Sequence, residues 1–237
     1  MRVRLRFTKQ GKVRWTSHRD VARMWERALK RAELPVAYSE GFSPRPRVSF
    51  GLALSTGHES LAEYLDVDVV GDVDVDALPP LLTPALPVGL TVTAAGVLGP
   101  GAPSLQQDVT SCSWLVTLAE VEAGEVVDAV GRLLAAPEVV VRRERKGQAS
   151  DDDIRPAVLV LTTSVDDDGA VVLGADLATA GRSLRPAELV GALIDGDPDE
   201  HTARVLRTHQ WIERDGARHE PLVPAAPAPL HAERACA

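Results

Sequence analysis

Two successive halves of this chain carry the same order of local patterns, and that repeated order constrains the fold more than any motif does. In the first half, VRLRF at 3–7 alternates apolar and charged residues with the period of two that a half-buried strand requires. A helix follows. Ser17 stands three residues before Asp20 in a capping-box-like start, and Val21, Trp25, Ala28, Leu29 and Ala32 recur at helical spacing as far as Glu33. A short strand at 36–38, strands at 48–54 and 63–69, a helix at 75–82 and a strand at 90–97 complete the unit. The second half reads as a strand at 114–118, a helix at 125–135, strands at 139–143, 157–163 and 170–175, a helix at 186–194 and a strand at 204–211. Identity between the halves is negligible, so the repeat is one of element order and length. The order β-α-β-β-α-β with one extra short strand is the split βαβ pattern. The expected fold class is α+β: two tandem ferredoxin-like units with antiparallel sheets, at 1–100 and 101–214, joined near GVLGPGAPS (96–104). The Pro- and Ala-rich segment 215–237 has no periodicity and is expected to be a flexible tail.

Composition excludes several classes. The chain has 237 residues, of which 45% are hydrophobic, enough for packed cores. No apolar run reaches the length of about eighteen residues that a membrane helix needs, and MRVRLRFTKQGKVRW lacks a signal-peptide hydrophobic region, so a cytoplasmic protein is expected. Cys112 and Cys236 are the only cysteines, too few for a disulfide framework or for a Cys-based zinc or iron–sulfur site, and no cofactor is expected on this chain. Walker, G-x-G-x-x-G, H-E-x-x-H and G-x-S-x-G signatures are absent.

Charge is segregated. The net charge is −8, yet residues 1–50 hold thirteen Lys and Arg against four Asp and Glu, a net of +9 that leaves −17 for the remainder. Seven of the nine aromatics, Phe7, Trp15, Trp25, Tyr38, Phe42, Phe50 and Tyr64, lie in the first 64 residues, interleaved with that charge. Interleaved aromatics and cations are the composition of a nucleic-acid-binding surface. Three features give that surface its expected form. The alternation at the N-terminus sets Arg2, Arg4 and Arg6 on the face opposite Val3, Leu5 and Phe7, which reads as a row of arginines. In GFSPRPR (41–47), Gly41 permits positive φ while Pro44 and Pro46 stiffen the chain, displaying Arg45 and Arg47 with Phe42 or Tyr38 as a stacking face; a rigid strand-entry loop whose arginines pair with carboxylates is equally open. His18, after Ser17, stands at the positive end of the helix dipole, where an anion is favoured; a role as general acid or base and a plain role near the cap are both open.

The second half offers less. KGQASDDDIRP (146–156) brings Lys146, Asp153 and Arg155 together as a possible second site, Asp151 and Asp152 reading as solvated loop charges without calcium-loop spacing. GRSLRP (181–186) sets Ser183, Arg185 and Pro186 at a helix entrance, where capping explains most of the pattern.

The stretch KVRWTSHRDVARMWERALKRAELPVAYSEGFSPRPRVSFGLALSTGHES resembles the opening of the radical SAM-linked protein family, a bacterial family of uncharacterised function with a Ser-His-x-Asp helix start and a Gly-Phe-x-Pro-x-Pro loop. Lys146 with Asp153 to Pro156, and Ser183 to Pro186, resemble its distal motifs, so the likeness runs to about Trp211. Ser43 stands where Asn is common and Arg45 where His is common, which weakens any reading of that loop as a proton-transfer site. The resemblance implies a companion of a separate radical SAM protein, since the three clustered cysteines of a radical SAM cluster are missing here.

Three functions follow as expectations. The first is a non-catalytic RNA-binding accessory protein working with that enzyme, with Arg4, Arg6, Arg14, His18, Arg19, Phe42, Arg45 and Arg47 as contacts and Lys146, Asp153, Arg155 and Arg185 as a second site. The second is a protein-interaction scaffold docking an acidic partner, and the third a metal-independent endoribonuclease using His18. No metal site is expected.

Overall fold

The computed structural model describes residues 1–145, 148–179 and 183–222. The first half forms β1 (Arg2–Lys9), α1 (His18–Arg31), β2 (Val48–Phe50), β3 (Glu59–Asp68), α2 (Leu78–Leu82) and β4 (Leu90–Val97). A short helix, α3 (Leu105–Asp108), leads into β5 (Val109–Leu118), α4 (Ala123–Ala135), the antiparallel pair β6 (Val140–Arg145) and β7 (Gln148–Asp153), and then β8 (Val158–Val165) and β9 (Val171–Ala178). Last come α5 (Pro186–Leu193), β10 (Thr202–Arg214) and β11 (Ala217–His219).

The strand order is β4-β1-β3-β10-β5-β9-β8, with β2 alongside β3 and β11 alongside β10. Taken by halves, each reads fourth-first-third-second, the order of a ferredoxin-like unit, so the α+β expectation is met. The join differs from two separate antiparallel sheets. One edge of β3 carries the three-residue β2 only at Leu65 to Val67, and β10 pairs in parallel with the remainder at Glu59 and Ser60. The two units therefore share one nine-stranded sheet.

Local chemistry explains the elements. Ser17 caps α1, its hydroxyl accepting from the Asp20 N–H at 3.2 Å and donating to the Asp20 carboxylate at 2.7 Å. The buried stripe of α1 is Val21, Trp25, Ala28 and Leu29, packed on Val3, Leu5, Phe7, Leu65 and Val67, with Phe7 and Trp25 edge to face at 4.9 Å. Asp215 and Gly216, both at positive φ, make the two-residue turn between β10 and β11. Residues 215–222 are thus ordered rather than tail, while 223–237 lie outside the described residues. Asp151 to Asp153 also belong to a strand rather than a loop: β7 lacks apolar alternation, and its pairing with β6 sets Asp151 opposite Arg142.

At the seam, Arg207 of β10 is 1% exposed and meets Glu63 of β3. Its Nε donates to Glu63 Oε1 at 3.1 Å, its Nη2 donates to the same carboxylate and to the Leu52 carbonyl, and its guanidinium stands 5.3 Å from the Trp114 ring centre. Removing one partner of such a pair leaves the other charge buried and uncompensated. Glu63→Gln or Arg207→Met alone is expected to cost about 3–5 kcal/mol in denaturant unfolding. The double variant Glu63→Leu with Arg207→Met is expected to recover most of that loss; a double variant as unstable as the sum of the singles contradicts this account of the seam.

Candidate functional site

The arginine row expected on β1 is not a surface. Arg4 and Arg6 are 3% and 7% exposed. Arg4 binds Asp66 through two hydrogen bonds, at 2.7 and 3.1 Å, and Arg2 joins the same carboxylate at 2.9 Å. Arg6 donates to the Tyr64 hydroxyl at 3.1 Å and pairs with Glu220 at 3.3 Å. The cause is coverage. Residues 220–222 lie over this face, Tyr64 donating to the Leu222 carbonyl, and α3 sets Leu105 against Gly51 beside it. Arg4 and Arg6 are therefore withdrawn from the contact set, and with them the idea of one patch joining β1 to the Pro-Arg loop.

The solvent-facing cations lie on α1 instead. Arg19, Arg23, Arg27 and Arg31 are all exposed and follow one another at four-residue intervals along one side of the helix. At 1.5 Å per residue the row is about 18 Å long. Arg23 pairs weakly with Asp20 at 3.5 Å and Arg31 donates to the Ala85 carbonyl, while Lys12, Arg19, Arg27, Lys30 and Arg45 form no ion pair with any described residue. The exposed acids on this helix are Asp20 and Glu26. His18 opens the helix, exposed, its ring edge-on to Phe50 at 5.2 Å.

Trp15 sits three residues before α1 and is 63% exposed. Its turn, residues 11–15, is pinned from below. The buried Lys9 ammonium donates to the carbonyls of Arg14 and Thr16, both at 3.2 Å. Glu59 accepts from the Gly11 N–H at 2.6 Å and also holds Arg14 and, from β10, Arg204. The Gly57 N–H donates to the Arg14 carbonyl, and a Cβ at Gly57, whose φ is +88°, would lie 3.0 Å from the indole ring. Arg14 stands 5.1 Å from the ring centre. The indole is thus a seated platform with a cation against it.

Beyond the other end of α1, the loop 39–45 is closed as expected for a stiff display segment. Tyr38 bridges to Pro46, the Ser39 N–H donates to the Arg45 carbonyl at 2.9 Å, and the Arg45 N–H donates to the Ser39 hydroxyl at 3.0 Å. Phe42 at its tip is fully exposed. Arg47 is tied to Asp68 at 3.1 Å, which leaves Arg45 as the unpaired cation of the loop.

Of the distal set, Asp153, Arg155 and Arg185 are each engaged by neighbouring backbone or by a capping partner. Asp153 accepts from the backbone N–H groups of Val139 and Arg155, and Arg155 donates to the carbonyls of Val158 and Leu134. Arg185 opens α5, its N–H donating to Glu188 at 3.0 Å. Lys146 lies outside the described residues. Among the described residues no three His, Cys, Asp or Glu side chains gather as a metal would require, and no helix is long and apolar enough to cross a membrane.

A profile of the bacterial family described as "Uncharacterized protein conserved in bacteria (DUF2344)" matches residues 2–186. The chain belongs to this family. The matched span contains α1, the Trp15 turn and the Pro-Arg loop, and stops short of β10 and its Arg207. No curated protein matches the chain. Among solved structures, one chain of "Crystal Structure of a Cbf5-Nop10-Gar1 Complex" aligns at 10% identity with a TM-score of 0.47, over 88% of this chain and 48% of that one, so this chain spans about half of it.

Two neighbouring groups, His58 and Glu59 at the start of β3, are expected to make stability fall in acid. Burial first, then the charges of Arg207 and Lys9, push the His58 pKa down against the opposing pull of Asp199, and its buried Nδ1 has no partner among the described residues. Burial opposes ionisation of Glu59 most, but the Gly11 N–H, Arg204 and Arg14 outweigh it and the carboxyl pKa is lowered. The unfolded chain therefore takes up a proton at His58 below about pH 6.5 and at Glu59 below about pH 4.3, before the folded chain does, and stability falls as pH falls through each window. Thermal midpoints measured downward from neutral pH should decline first near pH 6. His58→Gln should flatten that first decline, and an unchanged profile in the variant contradicts the assignment.

Proposed function

We propose that the protein binds RNA through the solvent face of α1 and the two aromatic segments that flank it. The observation that carries this reading is the row Arg19, Arg23, Arg27 and Arg31, exposed along one helix side in a chain whose net charge is −8. A protein that is acidic overall gains nothing in solubility from four arginines in line, whereas a polyphosphate meets all of them at once. Guanidinium groups bind phosphate oxygens bidentately, and the positive end of α1 at His18 adds its dipole to the same face. Arg14 and Arg45 extend the charge to either side. The reading is of a cytoplasmic, non-catalytic accessory protein that holds RNA for a separate enzyme; that this enzyme is a radical SAM protein is what the family resemblance implies.

Fluorescence anisotropy against bulk transfer RNA across a salt series tests the reading. Wild type is expected to bind at low salt and to weaken steeply as salt rises. The triple variant Arg19→Ala, Arg23→Ala and Arg27→Ala should lose affinity and shed roughly two units of the salt slope. Binding indifferent to the triple variant overturns the assignment of the surface. Cleavage of the RNA in chelator, abolished by His18→Ala, would replace the accessory reading with the nuclease one. Failure to bind at low salt would leave α1 as a docking face for an acidic protein.

A further inference from the structure

We infer that the RNA met by this surface is an unpaired stretch, its bases stacking on Trp15 before the arginine row and on Phe42 beyond it; the inference rests on the RNA reading above. Duplex RNA presents phosphates and a wide shallow groove while its base faces are already stacked inside, so a duplex-binding surface needs cations and has no use for aromatic platforms. Here large aromatics are held out in solvent at two places. Trp15 is 63% exposed although Lys9, Glu59 and Gly57 all fix the turn that carries it. Phe42 is fully exposed on a loop closed by two backbone hydrogen bonds, one bond from the Arg45 N–H to the Ser39 hydroxyl, and two prolines. Phe42 lies wholly in solvent and Trp15 rests against Gly57 with most of its surface exposed, so core burial does not explain their presence, and rigid display limits the entropy lost when a base stacks on them.

Charge accompanies each ring. Arg14 stands 5.1 Å from the Trp15 ring centre, and guanidinium planes stack on bases as aromatic rings do. Arg45, without an ion pair among the described residues, follows Phe42 by three positions. Trp15 precedes α1 by three residues, and Phe42 lies on the loop that the seven residues 32–38 connect to its other end. In chain order the arginine row lies between two stacking positions, an order that suits a single strand whose backbone is tracked and whose bases are held.

A labelled RNA strand of about 12 nucleotides without self-complementarity, within the span of single-strand sites, and the same strand annealed to its complement supply the test by anisotropy. The single strand should bind more tightly than the duplex. Trp15→Ala and Phe42→Ala should each weaken the single strand about 5- to 150-fold and leave duplex binding and the thermal midpoint unchanged. Phe42→Trp, which keeps a ring at a position outside the core, should retain single-strand affinity. Duplex bound as tightly as single strand, or both alanine variants binding like wild type while the arginine triple variant still weakens, overturns the stacking inference and leaves RNA binding standing. Absence of binding by either form at low salt brings down both.

Discussion

The buried contact between Arg207 and Glu63 is the point on which the two halves of the molecule turn. β2 is too short to cover the edge of β3, which it pairs only at Leu65 to Val67, and β10 pairs in parallel at Glu59 and Ser60. That brings an arginine with almost no solvent access into the sheet, where its charge is balanced by Glu63, a further N–H is met by the Leu52 carbonyl and its face is laid against Trp114. Three residues earlier on β10, Arg204 grips Glu59, and Glu59 in turn holds Gly11 and Arg14. A strand of the second unit therefore sets the position of Trp15 in the first. The stability of the seam and the posture of the proposed platform are a single problem.

Lys9 shows how the same region keeps order at close quarters. Burial lowers its pKa, Glu63 counters that and Arg207 adds to it, yet its ammonium donates to two carbonyls of the Trp15 turn. The small cavity above it, with room for about one water, is bordered by His18, Phe50 and Glu63. His18 thus faces a packed, hydrogen-bonded seam through Phe50 and an open surface through the start of α1. That placement suits a residue shaping the edge of a binding face, with Lys9 already engaged in holding backbone.

Much of the fold was legible because it is written in local patterns. The capping pair Ser17 and Asp20 and the stripe Val21, Trp25, Ala28 and Leu29 were each read from spacing, and each is found doing that work. The order of strands and helices gave the class. The join was not legible, since Glu63 and Arg207 are separated by 144 positions and nothing near either marks a partner. The alternation of β1 also misled: it correctly divided the strand into two faces, but alternation cannot say what covers the second face, and α3 with residues 220–222 covers it. The surplus of cations in the first fifty residues combines two populations, one neutralised internally by Asp66, Glu220 and Asp68, the other left on the Trp15 turn, α1 and the loop. Only the second bears on a ligand. Its four-residue spacing was present in the sequence all along and becomes informative once the buried stripe fixes which side of the helix is outside.

The central claim is that RNA lies along α1 between the Trp15 turn and the Phe42 loop. Ultraviolet crosslinking of the purified full chain to RNA, followed by mass-spectrometric mapping of the adducts, tests it without any substitution. The account predicts adducts concentrated in peptides spanning residues 12–31 and 38–47. Adducts confined to the second unit, or to peptides from β1 that carry Arg4 and Arg6, would contradict it.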